Sequence, residues 1–145
     1  MEIHGIVFGA QPYGQDDATV ISIEGAEIDA MVGSCVFAGV FETPLALVTE
    51  CRKVLGAQDC RSDADRGLLD MNQGQPFVRV TARVLDTDRG RELDVAVREK
   101  LMVWYAMGYI LERHAGNVIA RARLKGVLAS FHNARSPYRV FPGSG

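Results

Sequence analysis

Eleven consecutive residues, the run LMVWYAMGYIL from Leu101 to Leu111, carry no charge. The run is too short to span a bilayer, which takes about 20 apolar residues. Water is therefore excluded from it by the rest of the chain or by a second copy. With Gly116 as a stop, the spacing predicts a helix over Val97–Ala115 that is apolar on all sides and so buried on all sides. In a chain of 145 residues, that burial calls for a sheet beneath the helix and a subunit above it. The expectation is a homodimer.

On such a helix Trp104 lies on one face, and Tyr105 and Tyr109 share the next, with His114 near the C-terminal end. Buried tyrosine hydroxyls need partners, and a histidine there is favourable against the helix dipole. These four residues are the candidate lining of a pocket for a small apolar ligand. Core or subunit packing explains the same aromatic row.

A second helix is expected from Thr43-Pro44, a cap followed by a proline at the first helical position, to Gly56. Leu47, Val48, Cys51, Val54 and Leu55 would form its apolar face. Residues 57–76 are polar, and are either a short helix capped by Ser62 and carrying Leu68, Leu69 and Met71, or a flap. Strands are expected over 3–8 and 18–23 as an antiparallel pair, and over 31–41. Val78, Val80, Ala82 and Val84 alternate with Arg79, Thr81 and Arg83. With Leu93, Val95 and Val97 beyond a turn at 86–92, they predict a hairpin. Residues 119–127 alternate Ala120, Ala122 and Leu124 with Arg121, Arg123 and Lys125, which predicts a strand with a basic wet face. The resulting fold class is α+β, an antiparallel or mixed sheet of about five to six strands with two main helices packed on one face. Residues 1–130 form the single domain and 131–145 an extended C-terminal tail.

The net charge of −2 hides a division of the chain. Residues 98–145 carry eight Lys or Arg against Glu99 and Glu112, and the remainder carries eight against sixteen acids. Arg121, Arg123, Lys125 and Arg139, with aromatics Tyr138 and Phe141, motivate a nucleic-acid alternative. The negative net charge weighs against it. Neutralisation within one fold, or across a dimer, accounts for the division as well.

Chemistry-bearing motifs are few. His4, His114 and His132 and the three cysteines lack zinc-ligand spacings. Asp86, Asp88, Glu92 and Asp94 imitate a calcium loop, but Val97 stands where a bidentate glutamate is needed. No nucleophile elbow and no phosphate-loop fingerprint occurs. No cofactor and no metal are expected. Three cysteines and no apolar leader point to reduced thiols in the cytoplasm. The functional expectation is a homodimeric module that binds a small apolar ligand or a protein partner without catalysis. The alternative is a cofactor-independent enzyme using an acid–base residue in a pocket, signalled by a strongly shifted pKa.

Overall fold

The computed structural model describes residues 1–9, 20–38, 43–116, 118–131 and 138–143. Its strands are β1 (Glu2–Gly9), β2 (Val20–Ile21), β3 (Ala26–Glu27), β4 (Cys35–Ala38), β5 (Thr43–Val54), β6 (Phe77–Val84), β7 (Met102–His114), β8 (Val118–Phe131) and β9 (Phe141–Pro142). The helices are α1 (Asp63–Met71) and α2 (Asp88–Arg98), with one 3-10 turn at Ala57–Asp59. The class is α+β with a mixed sheet. Among the described residues the sheet has nine strands, three of them only two residues long, which is larger than the five to six that sequence patterns predict.

Antiparallel ladders run from β1 to β6, β6 to β5 and β5 to β4. β4 then pairs in parallel with the end of β8, while β2 and β3 pair in parallel with its beginning. β7 covers the other side of β8 along its whole length. The C-terminal segment closes the circuit. Trp104 N–H donates to Tyr138 O at 3.1 Å and Val140 N–H to Met102 O at 3.0 Å, and β9 pairs with β1. The sheet thus returns on itself as a barrel, which removes most of its edges. One interior cluster joins Ile3, Val80, Ala82, Val48, Val127 and Trp104 from strands around the circuit. The extended 138–142 segment is part of this body, with Tyr138 and Val140 buried.

Several local expectations are corrected. The helix expected over Thr43–Gly56 is strand β5 followed by a turn. A register shift between Val48 and Glu50 moves the inward phase by one residue, so that Ala46, Val48 and Cys51 all lie on the ladder's inner face. A bulge inside a strand breaks the period of two and leaves apolar spacings that resemble a helix. Of the helix expected over Val97–Ala115, Val97 and Arg98 end α2 and Met102–His114 is β7, rich in the aromatic and β-branched residues that favour strands. It is not buried on all sides: Met102–Trp104 are buried, and Gly108–His114 are exposed. Gly108 sits at one of its bulges, where an added Cβ would lie 1.9 Å from Arg123 O. Only glycine allows that approach.

Conversely, the second half of the expected 77–97 hairpin is helix α2. Thr87 caps it, accepting from Gly90 N–H at 3.0 Å. Gly90, Leu93, Ala96 and Val97 form its buried face at helical spacing. Ion pairs three or four residues apart, Arg91–Asp88, Arg89–Glu92 and Arg98–Asp94, run along its outside. α1 follows the capped-helix alternative for 57–76, with Ser62 Oγ accepting from Asp65 N–H at 3.2 Å. The first two expected strands do not pair with each other: β1 pairs with β6 and β9, and β2 with β8. Of the 31–41 strand only Cys35–Ala38 forms, and 39–41 lie outside the described residues.

The two helices do not share one face. α2 contributes Leu93, Ala96 and Val97 to the interior cluster, at the end of the barrel where β5 and β7 begin and β6 ends. α1 lies outside, its Leu68 and Leu69 in a second cluster with Ile6, Val54, Phe77 and Tyr138. Among the described residues no helix is long and apolar enough to cross a membrane.

Candidate functional site

The four pocket residues expected from the sequence are strung along β7 rather than gathered. Trp104 is fully buried inside the barrel, and Tyr105 is half-buried on the following position. Tyr109 is exposed on the outer face, with Lys125 Nζ 5.1 Å from its ring centre. His114 is exposed and sits 3.2 Å from Glu112 Oε1. At about 3.3 Å per residue, Trp104 and His114 are roughly 30 Å apart along the strand. They enclose no common cavity among the described residues.

The basic row on β8 takes the orientation its alternation predicts. Arg121, Arg123 and Lys125 are exposed, and Ala122 and Leu124 are buried between them. Glu27 of the neighbouring β3 lies 3.5 Å from Arg121 and 3.4 Å from Arg123, so the row is partly neutralised. Arg139 belongs to a different place, stacked at 4.3 Å on Phe141 and bridged to Val103, six residues down β7 from Tyr109. The four cations do not make one surface.

A groove at the α2 end of the barrel was not expected from the sequence. Val95 on α2 is 61% exposed, Leu101 before β7 is 49% exposed, and Phe131 at the end of β8 is 74% exposed. These three side chains line one open depression of about 650 Å³. A smaller recess of about 80 Å³ shares Phe131 and Glu92 with it and is lined also by Leu45, Leu93 and Met102. Its walls are mainly apolar, and it is smaller than the roughly 150 Å³ cavity that admits a benzene ring. The rim is charged: Asp88, Glu92 and Glu99 with Arg91 around the depression, and Arg89 at the recess. The sequence signal was weak, because Val95 fits a strand alternation and Leu101 and Phe131 look like ordinary flanks of apolar runs.

A buried polar cluster lies beneath α1. Asp65 is fully buried, and its carboxylate accepts from Arg52 Nη2 at 2.7 and 2.8 Å, Arg79 Nη1 at 2.7 Å and the Arg61 amide at 2.7 Å. Burial alone would raise its pKa. The Arg61 amide and the Arg52 and Arg79 guanidiniums outweigh that and hold it below the usual carboxylate range. Arg79 Nη2 also donates to His4 Nδ1 at 3.0 Å, which places the imidazole proton on Nε2. Burial, then the Arg79 charge, pushes His4 down to about 4, with Asp65 opposing. An open polar hollow nearby is bordered by Arg52, Arg61, Arg79, Thr49 and Thr81, but His4 does not line it. The shifted histidine is enclosed by its partners, which fits a clamp between α1 and the sheet better than a proton-transfer site.

That arrangement makes stability depend on pH. Because the native state resists protonating His4, its contribution is complete above pH 6.5 and is lost as pH falls from 6.5 towards 4. The full loss is about 3 kcal/mol for a shift of that size. Urea midpoints should fall across this window, and His4→Gln, which keeps an acceptor for Arg79, should flatten the fall. An unchanged slope in the variant would remove His4 from the cluster's titration.

Other nucleophile and metal readings gain little. Cys51 lies on the barrel side of β5, and burial, with the Glu50 charge, pushes its thiol up to about 12. Asp86 and Asp88 both bind Arg91, as a helix start rather than a cation loop. Among the described residues no group of three or more His, Cys, Asp or Glu side chains is arranged to hold a metal ion. No family model, no curated protein and no solved structure matches this chain.

Proposed function

We propose that this chain is a non-catalytic binding module whose groove beside α2 accepts an apolar side chain of a protein partner. The carrying observation is the exposure of Val95, Leu101 and Phe131 around one open depression, which adjoins an apolar recess at Phe131. Large apolar side chains grouped in this way usually mark an interaction site, whereas scattered ones do not. The dimensions favour a protein segment over a free small molecule. Pockets for drug-sized ligands enclose roughly 300–1,000 Å³, and the sheltered part here is only about 80 Å³. One aliphatic anchor can enter it while the rest of a partner segment lies across the open depression.

Catalysis is the weaker reading because the group with the strongly lowered basicity, His4, is enclosed by Arg79 and Phe141 and lines no groove. The nucleic-acid reading is weakened by Glu27 between Arg121 and Arg123. Nile red, an uncharged apolar dye, tests the groove directly. Its emission should rise and shift to the blue with the native protein, and Phe131→Glu should abolish most of the rise while retaining the native circular dichroism spectrum. Equal emission from both proteins would remove the groove as a binding site.

A further inference from the structure

We propose that the open edge of β7 pairs with the same edge of a second copy of this chain, antiparallel, about a two-fold axis at Gly108. The contact lies apart from the α2 groove and does not rest on the groove reading. The C-terminal segment closes the barrel only at the start of β7. There Trp104 N–H donates to Tyr138 O and Val140 N–H to Met102 O, so the even-numbered residues of β7 turn their backbone groups away from β8. Backbone groups alternate sides along a strand, so Ala106, Gly108 and Ile110 do the same. Among the described residues no strand pairs with them on that side. β7 itself is regular as far as Ile110, because the register shift between Met107 and Gly108 falls on β8, where Lys125 is the extra residue.

This edge lacks the usual guards. Exposed edge strands normally carry charges, a proline or a bulge that blocks pairing with another chain. Residues 105–111, YAMGYIL, are uncharged and contain no proline. The extra residue on β7 comes only at their end, at Leu111. Tyr109 is 60% exposed, Ile110 49% and Leu111 38%. Tyr109 and Ile110 lie on opposite faces of the strand, so one surface cannot cover both, whereas a strand added alongside touches both faces.

The edge also complements itself. Tyr138 occupies it at Trp104, and the Leu111 bulge ends it, which leaves Gly108 at the midpoint of the free, regular stretch. With the axis there, the outward backbone groups of Ala106 meet those of the second copy's Ile110, and the two Gly108 residues meet each other. On the inner face Ile110 lies against the smaller Ala106 of the second copy. On the outer face Tyr109 lies against its Met107, and a thioether beside an aromatic ring is favourable. No like charges oppose each other. Glu112, beyond the bulge, comes to the outer face beside the second copy's Val103, to which that copy's Arg139 is bridged, so opposite charges meet at each end. The contact is isologous and therefore closes at two copies. A short stretch from each copy places it at the small end of specific interfaces, about 1,200 Å² in total or less, so the dimer is reversible.

Sedimentation velocity on the full chain, over a range of concentrations, tests this with two variants and circular dichroism as the folding control. Ile110→Pro removes an outward N–H and spares the bonds to β8, the situation in which an edge strand tolerates proline. Ile110→Lys keeps the backbone and adds the charge such edges usually carry. Wild type should form a dimer and no larger species. Each variant should dimerise at least ~tenfold more weakly, because symmetry counts every loss twice. Phe131→Glu, in the groove, should dimerise as wild type does. Amide exchange followed by nuclear magnetic resonance reads the register. The amides of Ala106, Gly108 and Ile110 should be slow only at concentrations where the dimer forms, and those of Tyr105, Met107 and Tyr109 slow throughout. A wild type that stays monomeric, a dimer that both Ile110 variants retain, one lost in Phe131→Glu, or one that leaves the even-numbered amides unprotected would each overturn the proposal.

Discussion

Replacing Asp65 with asparagine is expected to destabilise the protein by about 3–5 kcal/mol, the loss typical of removing one partner from a buried ion pair. Asp65 is the common acceptor for two guanidiniums and a backbone amide, and it is fully buried in the first turn of α1. Asparagine keeps the shape but turns an N–H group towards Arg52 or Arg79. Arg79, itself buried, would lose a carboxylate partner while keeping its bond to His4, and Arg52 retains Glu50 at 2.7 Å. Urea denaturation at neutral pH checks the size of the loss. The sign of its pH dependence is also set: Asp65 has a depressed native pKa, so its stabilisation is present above the unfolded value and disappears as pH falls through the native one. The variant should therefore approach wild type in acid. A loss below about 1 kcal/mol at neutral pH would mean that the cluster is not what holds α1 to the sheet.

Trp104 should behave in two opposite ways according to its replacement. Trp104→Ala is expected to cost about 3–5 kcal/mol, the range for removing a large aromatic from a packed interior. The indole is fully buried and lies against Gly5, where an added Cβ would come within 3.0 Å of Nε1. Trp104→Phe should cost much less, about 1.5 kcal/mol or under, because Nε1 meets no acceptor among the described residues. Losing an unpaired donor offsets part of the lost volume. Far-ultraviolet circular dichroism is the suitable readout, since Trp104 is the single tryptophan. A phenylalanine variant as unstable as the alanine one would show that the indole N–H is engaged. A stable alanine variant would show instead that the barrel interior is open at this point, as the expected ligand pocket required.

Trp104 and Phe131 mark how much of the candidate site was legible in the sequence. Trp104 drew attention because it stands in an uncharged run, yet its burial inside the barrel is a packing role. Phe131 drew none, because one aromatic at the end of an alternating strand is unremarkable in a sequence. Exposure is a property of the folded surface. Leu101 and Phe131 belong to chain ends of β7 and β8 that meet only when those strands pair, and Val95 joins them only because 88–98 is helical.

The sequence by itself determined those features in which a short stretch contains its own partners. Ser62 caps α1 because its hydroxyl lies three residues from the amide it serves. Val78, Val80 and Ala82 point inward because a regular strand has a period of two, and Arg121, Arg123 and Lys125 point outward for the same reason. The tertiary structure alone decided the identity of 43–54 and 102–114 as strands. Their bulges shift the apolar phase, and a shifted strand and a helix leave overlapping patterns. It also decided that Arg79 is buried, since its neighbours alternate as on any wet-faced strand. Only α1, arriving from 14 residues away, supplies the carboxylate that makes burying it tolerable. The closure of the barrel was likewise invisible locally, because the bonds from Tyr138 and Val140 to β7 join chain segments more than 30 residues apart, and no local pattern records which distant strand a backbone donor meets.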